Sequence, residues 1–239
     1  MTEARGPLRL SLEGSIGAGK SSFLRMIQDH LGPERAYTMT EPVDTWKDVR
    51  GHNLLEAFYQ DPVGHGYLFQ TYAFMSRLRA TKQCFDVCKG RVGLEVQVIE
   101  RSAYSDRYVF AQNAYETGLI RDLDWAAYLD LWSFYTQLAH SGSLDGVIFL
   151  DVSVDCCHER TRKRARPEEK AVSREYLEQL QQKHDAWLPQ GAKHSSDGIP
   201  LLRLDGNQEF ERDPLRRAAL LAEVDAFVEQ LKQEHKVSE

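Results

Sequence analysis

The chain has 239 residues and lacks any apolar run long enough to span a bilayer, which argues against a membrane protein. Its four cysteines form no C-x-x-C, and its eight histidines form no H-E-x-x-H, so neither a disulfide framework nor a zinc site is predicted. A net charge of -6 argues against a nucleic-acid polymer as partner, because such binding needs clustered cations. The net negative charge is compatible with small anionic ligands, since these need only a local positive pocket.

The stretch before the first apolar run is short, from Met1 to Pro7. That is too little for a secretory signal or a mitochondrial presequence. We therefore expect a cytoplasmic or nuclear protein. A mitochondrial location stays open, because a removed presequence would leave no trace in the sequence.

Short apolar runs alternate with long helical patterns. The runs are Leu8 to Leu12, Ala36 to Met39, Leu94 to Ile99, Val147 to Leu150 and Pro200 to Leu204. Candidate helices lie near 20–30, 51–59, 65–89, 104–117, 123–140, 155–165, 173–188 and 213–234. Strands separated by helices predict an α/β fold, with a five-stranded parallel sheet flanked by helices on both faces. No repeat or low-complexity linker divides the chain, so residues 1–239 are expected to form one domain.

One motif carries a specific chemistry. Residues 14–21 satisfy G-x-x-x-x-G-K-[ST] as Gly14-Ser15-Ile16-Gly17-Ala18-Gly19-Lys20-Ser21, with Ser22 following. Glycines allow a loop to wrap round phosphates with its backbone N–H groups pointing inward. Lys20 would add charge to the β- and γ-phosphates, and the Ser21 hydroxyl can bind Mg²⁺. The motif predicts a P-loop that binds a nucleoside triphosphate.

The class of P-loop protein is narrowed by what accompanies the loop. None of the asparagines begins the N-K-x-D that reads guanine, which disfavours a regulatory GTPase. A motor or AAA-type ATPase would bring a larger chain. A small-molecule kinase remains, and it needs groups that activate a hydroxyl and neutralise a transferring phosphoryl group.

Three further segments supply such groups. The second strand leads into Glu41, placing a carboxylate at the ligand-binding edge of a parallel sheet. The third leads into Glu100 and Arg101, an acid for Mg²⁺ and a base for phosphate. Asp151, after the fourth strand, is a rival acid; we prefer Glu100 because an arginine adjoins it. An arginine-rich stretch at about 160–170, with Arg160, Arg164 and Arg166, would form a lid.

Together these segments resemble the deoxynucleoside kinase family, most of all its deoxycytidine and deoxyguanosine kinase branch. The motifs occur in the family's order from about Leu8 to Phe210: G-S-I-G-A-G-K-S-S, E-P-V-x-x-W, F-Q-T-Y-A-x-x-S-R, E-R-S-x-Y-S-D-R-Y-x-F and R-x-x-x-R-x-R-x-E-E. The resemblance implies transfer of the γ-phosphate of ATP, or another nucleoside triphosphate, to the 5′-hydroxyl of a deoxynucleoside, with Mg²⁺. It also implies a homodimer through helices resembling those at 65–89 and 123–140.

The resemblance implies a role for each matching residue. The reacting groups would be Glu41 as general base, Arg101 beside it, Lys20 on the phosphates, and Ser21 with Glu100 at Mg²⁺. The nucleoside would be held by Trp46, Tyr59, Gln70, Phe110 and Glu169, and the donor by Arg160, Arg164, Arg166 and the loop Gln208, Glu209 and Phe210. Gln70 could read a base edge with its amide, and the aromatic residues could stack on the base. Trp46 and Phe110 could equally be core residues.

Arg77 and Asp106 bear on the choice of base. The resemblance places them beside it, where an ion pair would disfavour the thymine methyl group. Deoxyadenosine, deoxyguanosine and deoxycytidine are then the expected substrates, with thymidine poor. The alternative is a salt bridge with a structural role only. Two other functions stay open: a nucleoside monophosphate kinase of thymidylate-kinase type, and a noncatalytic nucleotide-binding subunit.

Overall fold

The computed structural model describes residues 6–138, 143–165 and 172–237. Its strands are β1 (Leu8–Glu13), β2 (Ala36–Met39), β3 (Val96–Glu100), β4 (Gly146–Asp151) and β5 (Leu201–Asp205). They form one five-stranded sheet in the order β2-β3-β1-β4-β5, and every pairing is parallel. The predicted fold class and all five strands are confirmed. The apolar runs are nearly continuous because both faces of such a sheet are covered.

Ten α-helices and one π-helix are found in the described part of the chain. They are α1 (Lys20–Leu31), α2 (Val43–Lys47), α3 (Leu54–Gln60), α4 (Pro62–Cys88), α5 (Ala103–Ser105), the π-helix (Asp106–Ala111), α6 (Gln112–Glu116), α7 (Asp122–Gln137), α8 (Val154–Arg164), α9 (Arg174–Trp187) and α10 (Pro214–Val237).

Each face of the sheet is covered by different helices. Helices α1 and α10 pack on one face, where Phe23, Ile27 and Leu220 are fully buried against the strands. Helix α9 covers the other face of β4, where Leu180 and Trp187 join the strand residue Phe149. This two-sided packing leaves the carboxyl edge of the strands accessible, and that edge is where ligands bind in open parallel sheets.

Some helix boundaries differ from the prediction. The helix predicted near 104–117 is divided into α5, a π-helix and α6, and the short helix α2 was not predicted. A π-turn inside a helix leaves little trace in hydrophobic periodicity, because it adds one residue to a single turn. Helix α4 starts at Pro62, where Asp61 caps its first turn by accepting from the Gly64 backbone N–H at 3.0 Å.

The structure describes only the first part of the predicted lid at about 160–170. Arg160 and Arg164 lie on α8, which ends at Arg164. Arg166 and Glu169 lie outside the described residues. In the part of the chain that is described, no helix is both long enough and apolar enough to cross a membrane.

Candidate active site

The P-loop connects β1 to α1 at the carboxyl edge of the sheet. Gly17 and Gly19 have φ angles of 83° and 95°, in the left-handed region that glycine adopts without strain. A Cβ on Gly17 would lie 2.3 Å from the carbonyl oxygen of Cys157, so a side chain does not fit there. Because α1 begins at Lys20, its positive end faces the space that the loop encloses.

Lys20 is buried beneath the loop. Its Nζ donates to the Ser15 carbonyl oxygen at 2.9 Å, so the side chain folds back against the loop. Burial, reinforced by the positive charge of Arg101, lowers the pKa of Lys20 to about 8. A polyanion entering the loop would offset this desolvation and favour the charged lysine.

Ser21 and Glu100 form an oxygen-rich corner beside the loop. The Ser21 hydroxyl lies 3.0 Å from both carboxylate oxygens of Glu100. Asp151, the rival acid, instead forms an ion pair with Arg203. A hydroxyl and a carboxylate next to a phosphate cradle fit Mg²⁺, which keeps several waters and takes further ligands from phosphate. Consistent with that, no cluster of three or more His, Cys, Asp or Glu in the described chain could hold a metal by itself.

Glu41 follows β2 and is held by two arginines. Its Oε1 accepts from Arg77 Nη2 at 2.8 Å and from Arg101 Nη1 at 2.9 Å, and its Oε2 accepts from Arg101 Nη1 at 2.9 Å. Burial by itself would raise the pKa of Glu41, but Arg101, Arg77 and Lys20 outweigh burial and lower it to about 2. The carboxylate is therefore ionised throughout the physiological range, as a proton acceptor must be.

Arg101 has an unusual backbone conformation. Its φ of 61° is left-handed, which costs a non-glycine residue on the order of 1–2 kcal/mol. The Arg101 backbone N–H donates to the Leu12 carbonyl oxygen at 3.0 Å, and the guanidinium lies 4.5 Å from the centre of the Phe110 ring. Such strain persists only where the surroundings impose it, and it is concentrated at functional sites.

Arg77 links Asp106 to Glu41. Its Nε donates to Asp106 Oδ2 at 2.7 Å, its Nη2 reaches Glu41, and its Nη1 donates to the Glu100 carbonyl oxygen at 3.0 Å. The ion pair expected between Arg77 and Asp106 is present and almost wholly buried. The contact between Arg77 and Glu41 was not predicted, because residues 36 positions apart carry no local signal of proximity.

A cavity of about 430 Å³ connects these groups. Its wall contains five cationic side chains and three carboxylates, a balance that suits a bound polyanion. The lining residues are Ile16, Gly17, Gly19, Lys20, Ser21, Ser22, Arg25, Thr40, Glu41, Val43, Asp44, Trp46, Lys47, Leu55, Tyr59, Glu100, Arg101 and Arg164. Sequence reasoning gave no role to Arg25, Thr40, Val43, Asp44, Lys47 and Leu55; of these, Val43 alone is a defined position of a quoted motif, E-P-V-x-x-W.

The predicted nucleoside-binding residues divide into two groups. Glu41, Trp46, Tyr59 and Arg101 lie in the cavity wall. Gln70, Arg77, Asp106 and Phe110 are not among the described residues that line the cavity, and the first three are buried. Trp46 is itself held in place, because its Nε1 donates to the Ser76 hydroxyl at 2.8 Å.

The residues predicted to bind the phosphate donor also differ in their surroundings. Arg164 lines the cavity, whereas Arg160 donates to the carbonyl oxygens of Ala18 at 3.1 Å and Gly206 at 2.9 Å. Phe210 is buried, edge-on to Phe23 with ring centres 5.7 Å apart. Gln208 and Glu209 remain exposed. Of the predicted donor-base loop, these two side chains are therefore the ones accessible to a ligand.

The glycine loop, the helix that starts at its lysine and the five-stranded parallel sheet define a P-loop kinase fold. A family profile described as deoxynucleoside kinase matches residues 10–229. The chain belongs to the deoxynucleoside kinase family. The resemblance read from the sequence is confirmed, and with it the kinase class of enzyme.

Three relatives illustrate the similarity. Deoxycytidine kinase 2 of Gallus gallus is 35% identical, over 92% of this chain and 90% of the relative. The mitochondrial deoxyguanosine kinase of Xenopus laevis is 34% identical, over 92% and 89%. Deoxycytidine kinase of Homo sapiens is 33% identical, over 85% of each chain. The resemblance to the deoxycytidine and deoxyguanosine kinase branch is thereby also confirmed.

The lowered pKa of Lys20 leads to a pH prediction. The lysine of the ligand-free protein is charged below its pKa of about 8 and loses its proton as the pH rises through that value. We expect kcat/KM for the nucleotide phosphate donor to fall as the pH rises through that value, measured by steady-state kinetics. A matched Lys20→Arg variant should move this alkaline limb upward, whatever its absolute activity, because arginine keeps its charge at every pH of the assay. Identical limbs in both proteins would contradict this origin.

Proposed function

We propose that this protein transfers the γ-phosphate of ATP, or of another nucleoside triphosphate, to the 5′-hydroxyl of a deoxynucleoside, as a step of nucleoside salvage. One observation carries the proposal. The ionised carboxylate of Glu41 lies in the wall of the same cavity as Lys20 and Ser21. A proton acceptor for an alcohol and a cradle for a triphosphate therefore face one space.

The reacting groups divide the work in a way that this chemistry requires. The P-loop N–H groups and Lys20 would hold the β- and γ-phosphates, and Arg101 and Arg164 would neutralise charge on the transferring group. Glu41 would orient the hydroxyl and receive its proton. Its low pKa is no obstacle, because phosphoryl transfer passes through a loose transition state that needs positioning and charge neutralisation more than base strength. Bound Mg²⁺, held by Ser21 and Glu100, would supply further charge neutralisation at the phosphates.

The remaining predicted residues would hold the two substrates. Trp46 and Tyr59 would contact the nucleoside from the cavity wall, and Gln70 and Phe110 are proposed to contact the base. Arg160, Gln208 and Glu209 would border the donor. Arg166 and Glu169 stay predictions as lid residues, and we propose that residues 1–239 act as one domain.

The substrates we propose are deoxycytidine, deoxyguanosine and deoxyadenosine, with thymidine poor. Two of the relatives are named as deoxycytidine kinases and one as a deoxyguanosine kinase. The buried Arg77–Asp106 pair supports the exclusion of thymine. Arg77 is fixed by further hydrogen bonds to the Glu100 carbonyl oxygen and to Glu41, so the pair cannot easily move aside for a methyl group.

We propose the cytoplasm or nucleus as the compartment, with mitochondria as the alternative because one relative is named as mitochondrial.

Replacing Glu41 tests the central proposal. Glu41→Gln should lower kcat for deoxycytidine by about 10²–10⁴-fold, because glutamine cannot accept the proton and no longer neutralises Arg77 and Arg101, while nucleoside affinity is retained. Glu56→Gln, an exposed position on α3, is the matched control and should behave as wild type.

The same assay separates the rival functions. Wild type, Glu41→Gln and Glu56→Gln are each supplied with ATP, Mg²⁺ and either the four deoxynucleosides or their 5′-monophosphates. Phosphorylation of monophosphates alone would support the thymidylate-kinase type. Nucleotide binding with no transfer to any acceptor would support a noncatalytic subunit.

The Arg77–Asp106 pair generates a second prediction. The double variant Arg77→Leu/Asp106→Ala removes both charges, so that neither is left buried alone. The ratio of kcat/KM for thymidine to that for deoxycytidine should rise by about 10- to 100-fold. Turnover of every substrate should also fall, since Glu41 loses one of its two arginines.

The control for that variant is Lys82→Leu/Asp86→Ala, which removes an exposed ion pair on the same helix. It should leave the substrate ratio unchanged. If the ratio were equally unchanged in Arg77→Leu/Asp106→Ala, the buried pair would be a structural salt bridge with no part in base selection.

We further propose that the protein is a homodimer through α4 and α7. These helices expose large apolar side chains, among them Leu68 and Met75 on α4 and Leu123 and Phe134 on α7. Phe134→Glu should produce monomers in light scattering coupled to size exclusion, because it places a charge in the proposed interface. Leu215→Glu changes an exposed leucine on α10 and should leave the dimer intact. A wild-type monomer would refute the proposal.

A further inference from the structure

Glu13 is a buried carboxyl group that the proposed reaction does not use. It is the last residue of β1, immediately before the P-loop, and it is fully buried in an otherwise largely apolar strand. Its Oε1 accepts from the Ser102 hydroxyl at 2.7 Å. Its Oε2 has no hydrogen-bond partner among the residues that the structure describes. Such a group is costly to bury, which calls for a reason for its presence.

Its partner Ser102 directly follows the strained Arg101. The Ser102 hydroxyl also accepts from the Ser105 backbone N–H at 3.4 Å, and the Ser105 hydroxyl in turn accepts from the Ser102 N–H at 3.1 Å. This reciprocal arrangement is a capping box that starts α5. The hydroxyl is thus fixed between two elements: it donates to the end of β1 and accepts from the first turn of α5.

Three consecutive residues at the end of β1, residues 12–14, contact residues 101–102. The Leu12 carbonyl oxygen accepts from the Arg101 N–H at 3.0 Å, and the Gly14 carbonyl oxygen accepts from Arg101 Nη2 at 3.4 Å. Glu13 lies between them and binds Ser102. The two carbonyl contacts use backbone oxygens of Leu12 and Gly14, so they do not depend on a side chain of this strand end. The contact from Glu13 is the one that depends on side-chain identity.

We infer that Glu13 is a positioning residue, which holds Ser102 and thereby keeps Arg101 in the left-handed conformation that lets its guanidinium reach Glu41. The inference rests on the proposed function, in which Arg101 steadies Glu41 and neutralises phosphate charge. Glu13 itself touches neither substrate nor Glu41. It acts through the backbone of residues 101–102, from beneath the cavity.

The hydrogen bond from the Ser102 hydroxyl requires an acceptor at the position of Oε1. It does not require that the acceptor carry a negative charge. Burial raises the pKa of Glu13, opposed by the Ser102 hydroxyl, then by the nearby Ser105 hydroxyl, and more weakly by the positive charges of Arg77 and Arg101. Since Oε1 alone contacts the Ser102 hydroxyl, the hydrogen bond needs only this acceptor. Glutamine has the same shape, carries an acceptor oxygen and is neutral, so it should replace glutamate here. Leucine has a similar volume but offers no acceptor.

The test compares Glu13→Gln with Glu13→Leu in the full-length protein, using deoxycytidine, ATP and Mg²⁺. Glu13→Leu should lower kcat by up to about 100-fold, as expected when a group such as the Arg101 guanidinium is misplaced by about 1 Å. The KM for deoxycytidine should change little. Glu13→Gln should retain wild-type kcat. Thermal unfolding of both variants is recorded, and kinetics are measured well below the lower midpoint so that only folded protein is compared.

A second arm asks whether Glu13 acts through Arg101. In an Arg101→Ala background, Glu13→Leu should cause no further loss of kcat, because the group that it positions is already absent. An equal loss in both backgrounds would overturn the inference, and so would Glu13→Leu with wild-type kcat. Loss of kcat in Glu13→Gln as large as in Glu13→Leu would also overturn it.

The wild-type protein separates this inference from the proposed function. If wild type phosphorylates no deoxynucleoside, the proposed function fails before any variant is compared. If wild type is active and the variants do not behave as described, the positioning role of Glu13 alone is lost.

Discussion

The site depends on a buried network of two carboxylates and two guanidinium groups, formed by Glu41, Arg77, Arg101 and Asp106. At most 11% of any of these side chains is exposed. A buried charge without a partner is strongly unfavourable, and breaking such a pair costs about 3–5 kcal/mol. Each member therefore constrains the others. The network joins the ends of β2 and β3 to α4 and the π-helix, so the carboxylate proposed as proton acceptor and the pair proposed to select the base form one unit.

The two arginines of this network determine the protonation of Glu41. A buried glutamate would ordinarily be protonated more readily than an exposed one, which would remove it as a proton acceptor. The two arginines reverse that tendency and keep Glu41 charged. The same arginines compete with an incoming hydroxyl for the carboxylate oxygens. In the proposed function, base selection and proton acceptance would therefore be linked, because Arg77 contacts both Asp106 and Glu41.

The strain at Arg101 fits the same picture. A left-handed arginine is tolerated where the surrounding hydrogen bonds compensate for it, and here they come from the end of β1. That strand end also begins the P-loop. The phosphate cradle and the arginine beside Glu41 are consequently held by adjacent residues of one strand, and their separation is set by the pairing of β1 with β3.

Much of the architecture follows from local pattern. The strands were predictable because a sheet covered on both faces needs uninterrupted apolar runs, and α10 because Leu220, Val224, Phe227 and Leu231 repeat with the helical period. The π-helix and α2 were not predictable in this way. The first adds a single residue to one turn, and the second is only five residues long. Neither leaves a periodic signal.

For the site, the sequence by itself determined which chemical groups are present: the glycine loop, its lysine, and the acids and arginines that follow β2 and β3. A local motif suffices there, because the loop geometry is set by neighbouring residues. Only the tertiary structure decided which partner each charge takes. Arg77 bridges Asp106 and Glu41, Asp151 pairs with Arg203 rather than Ser21, and Phe210 packs into the core. These outcomes depend on contacts between residues far apart in the chain, whose distances are set by sheet order and helix packing.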